Sequence, residues 1–474
     1  MTAPTTLYRV ALGRVAAFAT AVAAIALFPS AAESLAQDHG APWAVSFGSK
    51  HYDDAGYSIA VDHDGSAVVA GRFRGVADFD PGPGECVLES DNNSTDIFVL
   101  KLGREGSFVW AVRMGGRRPD WATSVALDDE GNILLTGSFS IAADFDPDPA
   151  STRELFAPGN DAFVLKLDGD GRFLWAAQLR ASRIASGLAV VADRQNRVIV
   201  TGDFMGTADF DPGPTTEYEL TSSTTGSYSE DVFVWKLDAN GSLMWAGQIG
   251  GLDLAAGSLA VDRDGSVFGT GAFIGTADFD PGPGVFPLTA DDAEPDVFLF
   301  KWDGSGRFLW ANSLGGPGND WGIDLAVDRD QKVHATGYFQ DSADFDPAPD
   351  STAPLSSAGT EDVFVSKFDG NGNFLWARGM GGAESDSGCG ITVDVVGGVF
   401  LTGLFRFLAD FELGLATAET GDFTSLVTVT LTTGAGETTV AGTLFARRDP
   451  RIVRINGYEF ELVPAGHLLL FANE

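Results

Sequence analysis

Cysteine is almost missing from this chain: Cys86 and Cys389 are the two present in 474 residues. Two thiols cannot form a disulfide framework for a protein of this size, so packing must hold the fold. They stand in the first and last recognisable copies of an internal repeat, where one closing disulfide and two free thiols both stay open. Histidine is scarce too. His39, His51, His63, His334 and His467 are scattered, with no H-E-x-x-H, no H-x-H and no pair at ligand spacing. The sequence has no G-x-S-x-G elbow, no Walker A loop and no Rossmann glycine fingerprint. Basic residues are few: 30 Lys and Arg face 66 Asp and Glu, a formal net charge of −36. Such a surface repels phosphate backbones and anionic headgroups, which argues against a nucleic-acid partner.

Long apolar runs are missing as well, apart from one near the start. "MTAPTTLYRVALGR" carries Arg9 and Arg14, the apolar run 15–28 follows, and then the small residues of "PSAAESLAQ". This pattern predicts a secretory signal peptide over 1–36, cleaved after Ala32 or Ala36, with a membrane anchor as the alternative. No Cys follows the run for lipid attachment, and no later stretch reaches the roughly 18 apolar residues of a membrane helix. The mature chain is therefore expected to be a monomer without a membrane span, secreted, periplasmic or at the cell surface.

What the chain does have is repetition. Trp43, Trp110, Trp175, Trp245, Trp310 and Trp376 each open a "WA" pair, at spacings of 67, 65, 70, 65 and 66 residues. A second marker, D-[IVA]-F-[VL]-x-K, places Phe98, Phe163, Phe233, Phe298 and Phe364 on the same period. Each period reads as four strands, for example "DVFLFKWD" (296–303), "RFLWANSLGG" (307–316), "IDLAVDRD" (323–330) and "KVHATGYF" (332–339). Tight turns such as "DHDG" (62–65) and "DRDG" (262–265) separate the last two. An acidic phrase, in full form "GTADFDPGPG" (275–284), then makes a corner after the fourth strand. Four short antiparallel strands per repeat predict an all-β β-propeller of six blades over 37–432, with a β-solenoid as the alternative. The tail 433–474 carries "RIVRINGYEFELV", alternating around Asn456-Gly457, and reads as a hairpin that closes the ring or starts a seventh blade.

Over residues 43–412 the pattern "DxFVxKLDxxGxFxWAxxxGGxxxDxxxxxAVDxxGxVxxTGxFxGTADFDPGPG" resembles the bacterial SBBP-type repeats, which are β-propeller repeats of exported and surface proteins. The segment "KLDxxGxFxW" also looks distantly like the tryptophan-docking repeats of quinoprotein-like propellers, although the adjacent cysteines of such a cofactor site are missing. The resemblance implies a propeller of variable blade number and little about activity. The FDPGP insertion, the worn sixth copy and the tail after about residue 425 depart from it.

A residue present in every blade is expected to build blades rather than to catalyse. The repeated Trp residues then pack between blades, each burying on the order of 200 Å², with a carbohydrate-stacking row as the alternative. The repeated Phe residues are core. The Lys that follows each Phe (Lys101, Lys166, Lys236, Lys301, Lys367) is expected to pair with a repeated Asp, the candidates being Asp62, Asp128, Asp262, Asp328 and Asp394.

The acidic phrase supplies i, i+2 carboxylates: Asp78/Asp80, Asp144/Asp146, Asp209/Asp211, Asp278/Asp280 and Asp344/Asp346. In extended chain both project to one side. Two carboxylates plus turn carbonyls are a partial calcium shell, yet Asp before Pro and Gly is also an ordinary turn cap. The turns "DGDG" (168–171) and "DGNG" (369–372) pose the same choice. Calcium is thus the one cofactor to consider. The function expected is an exported, non-enzymatic interaction scaffold with a protein or polysaccharide ligand. The alternative is a polysaccharide hydrolase or lyase using carboxylates, for which no catalytic residue stands out.

Overall fold

The computed structural model describes residues 45–404 except 50, 51, 53, 224–229, 292, 395 and 396, together with the backbone of short strands between 409 and 469. The segment 1–36, Trp43, His39, His51, His467 and the Asn456-Gly457 turn lie outside the described residues. The strands flanking that turn, Ile452–Ile455 and Tyr458–Leu462, pair antiparallel.

The chain is an all-β propeller. Its first blade runs Ala55–Val61, Ala67–Arg74, Thr95–Leu102 and Phe108–Met114, each strand paired antiparallel with the next. Four more blades of the same design follow, the last ending with Phe374–Gly382. Ser387–Val393 and Val399–Leu404 begin a sixth. The first strands of successive blades lie beside one another, so they form the inner wall. Third strands such as Asp231–Leu237 and Asp296–Trp302 are buried along their whole length. A strand sandwiched between neighbouring blades on both faces must be, and this explains its near-continuous apolar sequence.

Apolar side chains from adjacent blades interlock into common cores. Val68, Val99 and Ile97 of the first blade meet Leu135, Phe163 and Leu165 of the second, and the pattern recurs down the chain.

The acidic phrase is not a corner after the fourth strand. It lies between the second and third strands of each blade and forms a small hairpin, as in Thr276–Asp278 paired with Pro287–Thr289. Because the repeat is cyclic, sequence periodicity alone does not show where a blade begins; the strand pairing does. In the second blade the hairpin is continuous with the long strands Ile133–Asp144 and Glu154–Leu167.

In an antiparallel meander these hairpins share one end with the fourth-strand-to-next-blade connections. We call it the hairpin face. Each hairpin also reaches the preceding blade: Asp144 pairs with Gly115, Asp209 with Arg180, Asp278 with Gly250 and Asp344 with Gly315. The acidic phrase is therefore an inter-blade clasp.

Candidate functional site

The hairpin aromatics Phe79, Phe145, Phe210, Phe279 and Phe345 are fully buried. Each meets a Phe of its blade's second strand edge to face, at centroid separations from 5.2 Å (Phe73–Phe79) to 5.7 Å (Phe339–Phe345). Each also contacts the repeated third-strand Phe: Phe98, Phe163, Phe233, Phe298 or Phe364. Such offset and edge-to-face pairs suit the ring quadrupole, so a phenylalanine triad anchors every hairpin.

The flanking aspartates fold the hairpin upon itself. Asp78 Oδ1 accepts the N–H of Asp80 at 3.1 Å and that of Cys86 at 2.9 Å. Asp144, Asp209, Asp278 and Asp344 repeat this double acceptance, taking Asp146, Asp211, Asp280 and Asp346 as the first donor. The second aspartate of each pair accepts a backbone N–H two residues on, as Asp80 does from Gly82 at 2.7 Å. These are Asx turns, in which a carboxylate stands in for a backbone carbonyl. Among the described residues no group of three or more His, Cys, Asp or Glu side chains gathers at metal-binding spacing. Cys86 and Cys389 are free thiols.

Of the described repeat tryptophans, Trp110, Trp175, Trp245, Trp310 and Trp376 are half-buried, and the first four lie against a turn of the next blade. An added Cβ on Gly241 would stand 2.9 Å from the Trp175 ring, and on Gly171, Gly306 and Gly372 it would stand 3.2, 2.9 and 2.8 Å from the rings of Trp110, Trp245 and Trp310. All four glycines have φ between +80° and +84°. The indole N–H groups of Trp175, Trp245 and Trp310 donate to the turn carbonyls of Ala239, Gly304 and Gly370 at 3.0–3.2 Å. The "DGDG" and "DGNG" turns are thus docking seats for the preceding blade's indole.

The repeated lysines do pair with aspartates. Lys101 meets Asp62, Lys166 meets Asp128, Lys301 meets Asp262 and Lys367 meets Asp328, at 2.8–4.0 Å. In the third blade Lys236 takes Asp193 at 3.1 Å. Asp193 escaped the sequence pattern because "VVADRQNR" stands there in place of the usual "AVD". Burial opposes the charge on Asp128, yet hydrogen bonds from Lys166 and Asn132 hold its carboxyl below the usual range. Asp193 behaves alike through Lys236 and Arg197, while burial pulls the Lys236 ammonium down.

A second acidic set was missed in the sequence. Asp120, Asp320 and Asp386, in the "GGxxxD" connections, are fully buried. Asp120 accepts the N–H groups of Gly116 and Ser140, at 2.7 and 2.9 Å, and Asp320 those of Gly316 and Gln340. They brace the passage from one blade to the next. Burial, reinforced by nearby Asp96, pushes the Asp120 carboxyl up to about 7. Burial and nearby Asp296 do the same to Asp320, and burial lifts Asp96 to about 6 against its contact with Arg113.

Among the described residues the second hairpin departs most from the repeat. On the hairpin face, between the second and third blades, a cleft of about 280 Å³ is lined by residues including Phe156, Gln178, Arg180, Thr207, Asp209 and Glu219. Arg180 pairs with Asp209 at 3.1 Å and occupies the position held elsewhere by Gly48, Gly115, Gly250, Gly315 and Gly381. Phe156, 65% exposed, stands where the other hairpins carry Glu89, Thr221, Thr289 and Ser356. On the same hairpin Ile141 is 52% exposed at φ +66°, where three other hairpins have Gly. A β-branched residue with positive φ is strained. These exceptions carry no period of their own; each differs from its counterparts at one position of the repeat.

The fold and this surface define a propeller-like repeat protein. No protein-family model matches the chain. It is 25% identical over 449 residues to an uncharacterized WD repeat-containing protein of Acanthamoeba polyphaga mimivirus, covering 79% of this chain and 32% of that protein. It is 29% identical over 144 residues to the regulatory protein FlaEY of Caulobacter vibrioides, covering 30% of this chain and 15% of that one. The chain thus spans a third or less of the length of these curated relatives. A solved structure of a protein of unknown function from Bacteroides caccae overlaps 56% of this chain and 83% of its own, with 10% identity and a TM-score of 0.21, too low to carry an argument.

Proposed function

We propose that the protein is an exported, non-enzymatic β-propeller of the SBBP repeat type that serves as an interaction scaffold outside the cytoplasm. The observation that supports this best is the division of labour among polar residues. The recurring Lys, Asp and Trp groups are engaged with other parts of the fold, whereas Phe156 and Arg180, which break the repeat, line one open cleft. A protein or polysaccharide ligand is bound there rather than converted.

The alternative, acid/base chemistry on a polysaccharide, would draw on Asp161, Asp209 and Glu219 in the same cleft. Burial raises the Asp161 carboxyl, as a general acid requires. That carboxyl is nevertheless held by Gln178 at 2.6 Å and by the N–H of Ala181, and Asp209 is held by Arg180.

The test is to incubate the purified chain with polysaccharides and assay new reducing ends or unsaturated products. No turnover is expected; turnover lost in an Asp161→Asn variant would establish the enzymatic alternative. Export is tested separately by fusing residues 1–36 to a reporter active only outside the cytoplasm. Reporter activity is expected, and a silent, stably expressed fusion would contradict export.

A further inference from the structure

We infer that the cleft between the second and third blades is a binding subsite for a neutral sugar residue of a polysaccharide; this rests on the scaffold function proposed above. The ring of a hexose has two faces of C–H bonds and a rim of hydroxyls that both donate and accept. A site for it needs an aromatic plane and planar polar groups at the edge. The cleft has both. Phe156 exposes 65% of its surface on a hairpin position that is polar in four other blades. Its strand is fixed from below, since Gln178 Nε2 donates to the Phe156 carbonyl at 2.7 Å. In the same cleft the Arg180 guanidinium and the Asp209 carboxylate stand side by side as donor fork and acceptor. Arg180 is itself steadied by the carbonyls of Asp211 and Pro212, at 3.3 and 3.4 Å, which presets its plane.

Size and charge narrow the ligand. A volume of about 280 Å³ lies at the lower edge of small-molecule pockets, roughly 300–1,000 Å³, which suits a single ring of a longer chain. The carboxylates of Asp209 and Glu219 beside Arg180, on a chain of net charge −36, repel an anionic polymer. A neutral glycan meets no such barrier.

Strain points to the same spot. Ile141 holds φ +66° next to Ala142, the residue paired with Phe156, where Gly75, Gly206 and Gly275 reach the same conformation freely. Neither the exposed ring nor the strained isoleucine is needed to build a hairpin, because the other blades build theirs without them.

The experiment is affinity electrophoresis of the full chain through gels containing dextran, laminarin, galactomannan or polygalacturonate. At least one neutral polymer should retard the protein, and polygalacturonate should not. Phe156→Ala should weaken the retardation about twofold to tenfold, the range of a lost ring contact, while Phe156→Trp preserves it and Arg180→Gly weakens it. Unchanged thermal midpoints would show that these exposed substitutions leave the fold intact. Retardation by polygalacturonate alone, by none of the polymers, or equally in wild type and Phe156→Ala overturns the subsite. Binding accompanied by new reducing ends would keep the subsite and overturn the non-enzymatic function instead.

Discussion

Lys236 and Trp245, on adjacent strands of the third blade, donate to one acceptor, the carbonyl of Gly304 in the fourth blade, at 3.4 and 3.1 Å. Lys301 and Trp310 do the same to Gly370, at 3.2 Å each. A strong cation and an indole on one carbonyl fix the height of each blade against the next. Lys236 is also sealed from solvent against Asp193. Removing one member of a buried ion pair strands the other, which costs about 3–5 kcal/mol. Lys236→Met should therefore lower stability by about 3 kcal/mol, toward the low end because Arg197 still holds Asp193. Lys101→Met, whose pair with Asp62 keeps some contact with water, should lose about 1 kcal/mol. Urea midpoints decide; equal losses would contradict the role of burial.

The turn glycines offer a sharper contrast. Gly241 has φ +84° and the Trp175 ring 2.9 Å from where a Cβ would go, whereas Gly397 has φ +88° with open space around it. Alanine at Gly397 should lose only the left-handed backbone term, about 1–2 kcal/mol. Gly241→Ala should lose clearly more, since the indole must also shift. Near-UV circular dichroism would report the displaced tryptophan in the second variant alone.

Stability should depend on pH with an unusual sign. Asp120 and Asp320 titrate near 7 and Asp96 near 6 in the folded chain, against 3.8 unfolded. The folded state therefore binds more protons between pH 4 and 7, so these groups favour folding in mild acid and oppose it above pH 7. His334, pushed down to about 4 chiefly by burial, works the other way over pH 4 to 6.5. These carboxyls, joined by Asp161, Asp231, Asp324 and Asp362, which burial raises in the same direction, outweigh one imidazole and give a higher melting midpoint at pH 5.5 than at pH 8. Because the two Asp120 oxygens accept separately from Gly116 and Ser140, Asp120→Asn gives up one acceptor and should lower the midpoint at pH 5.5 while flattening the profile; a steeper profile would contradict the assignment.

Calcium can be separated from turn capping at a single hairpin. Asp344 Oδ1 accepts the N–H groups of Asp346 and Ala353. Asparagine keeps that oxygen, so Asp344→Asn should be nearly neutral, whereas Asp344→Ala should cost about 1 kcal/mol. If capping suffices, EDTA leaves the melting midpoint of the wild type in place. A midpoint that falls with EDTA, and falls no further in Asp344→Asn, would instead mean that a cation is held there.

Much of this was legible in the sequence. The common period of the Trp and Phe markers implied four-stranded blades, and the Lys residues implied acidic partners. The phase of the blade was not legible, because a cyclic repeat reads alike from any starting strand. Hence the FDPGP phrase looked like a corner after the fourth strand, when pairing makes it a clasp between the second and third. Asp120, Asp320 and Asp386 stood in the repeat pattern as the Asp of GGxxxD, but an Asp in a loop gives no sign that folding will bury it. Phe156 and Arg180 were in plain view, but their meaning lies in being exceptions, and exceptions carry no period.

The central claim is that recurring residues build the propeller while the departures at the second and third blades serve a ligand. The most direct measurement is the thermal midpoint of the triple variant Ile141→Gly, Phe156→Thr, Arg180→Gly, which restores residues used at the same positions elsewhere in the chain. Relief of the strain at Ile141, about 1–2 kcal/mol, should offset loss of the exposed Arg180–Asp209 pair, worth about 0–1 kcal/mol. A midpoint equal to or above that of the wild type is expected. A clearly lower midpoint would show that these residues hold the blades together and would contradict the central claim.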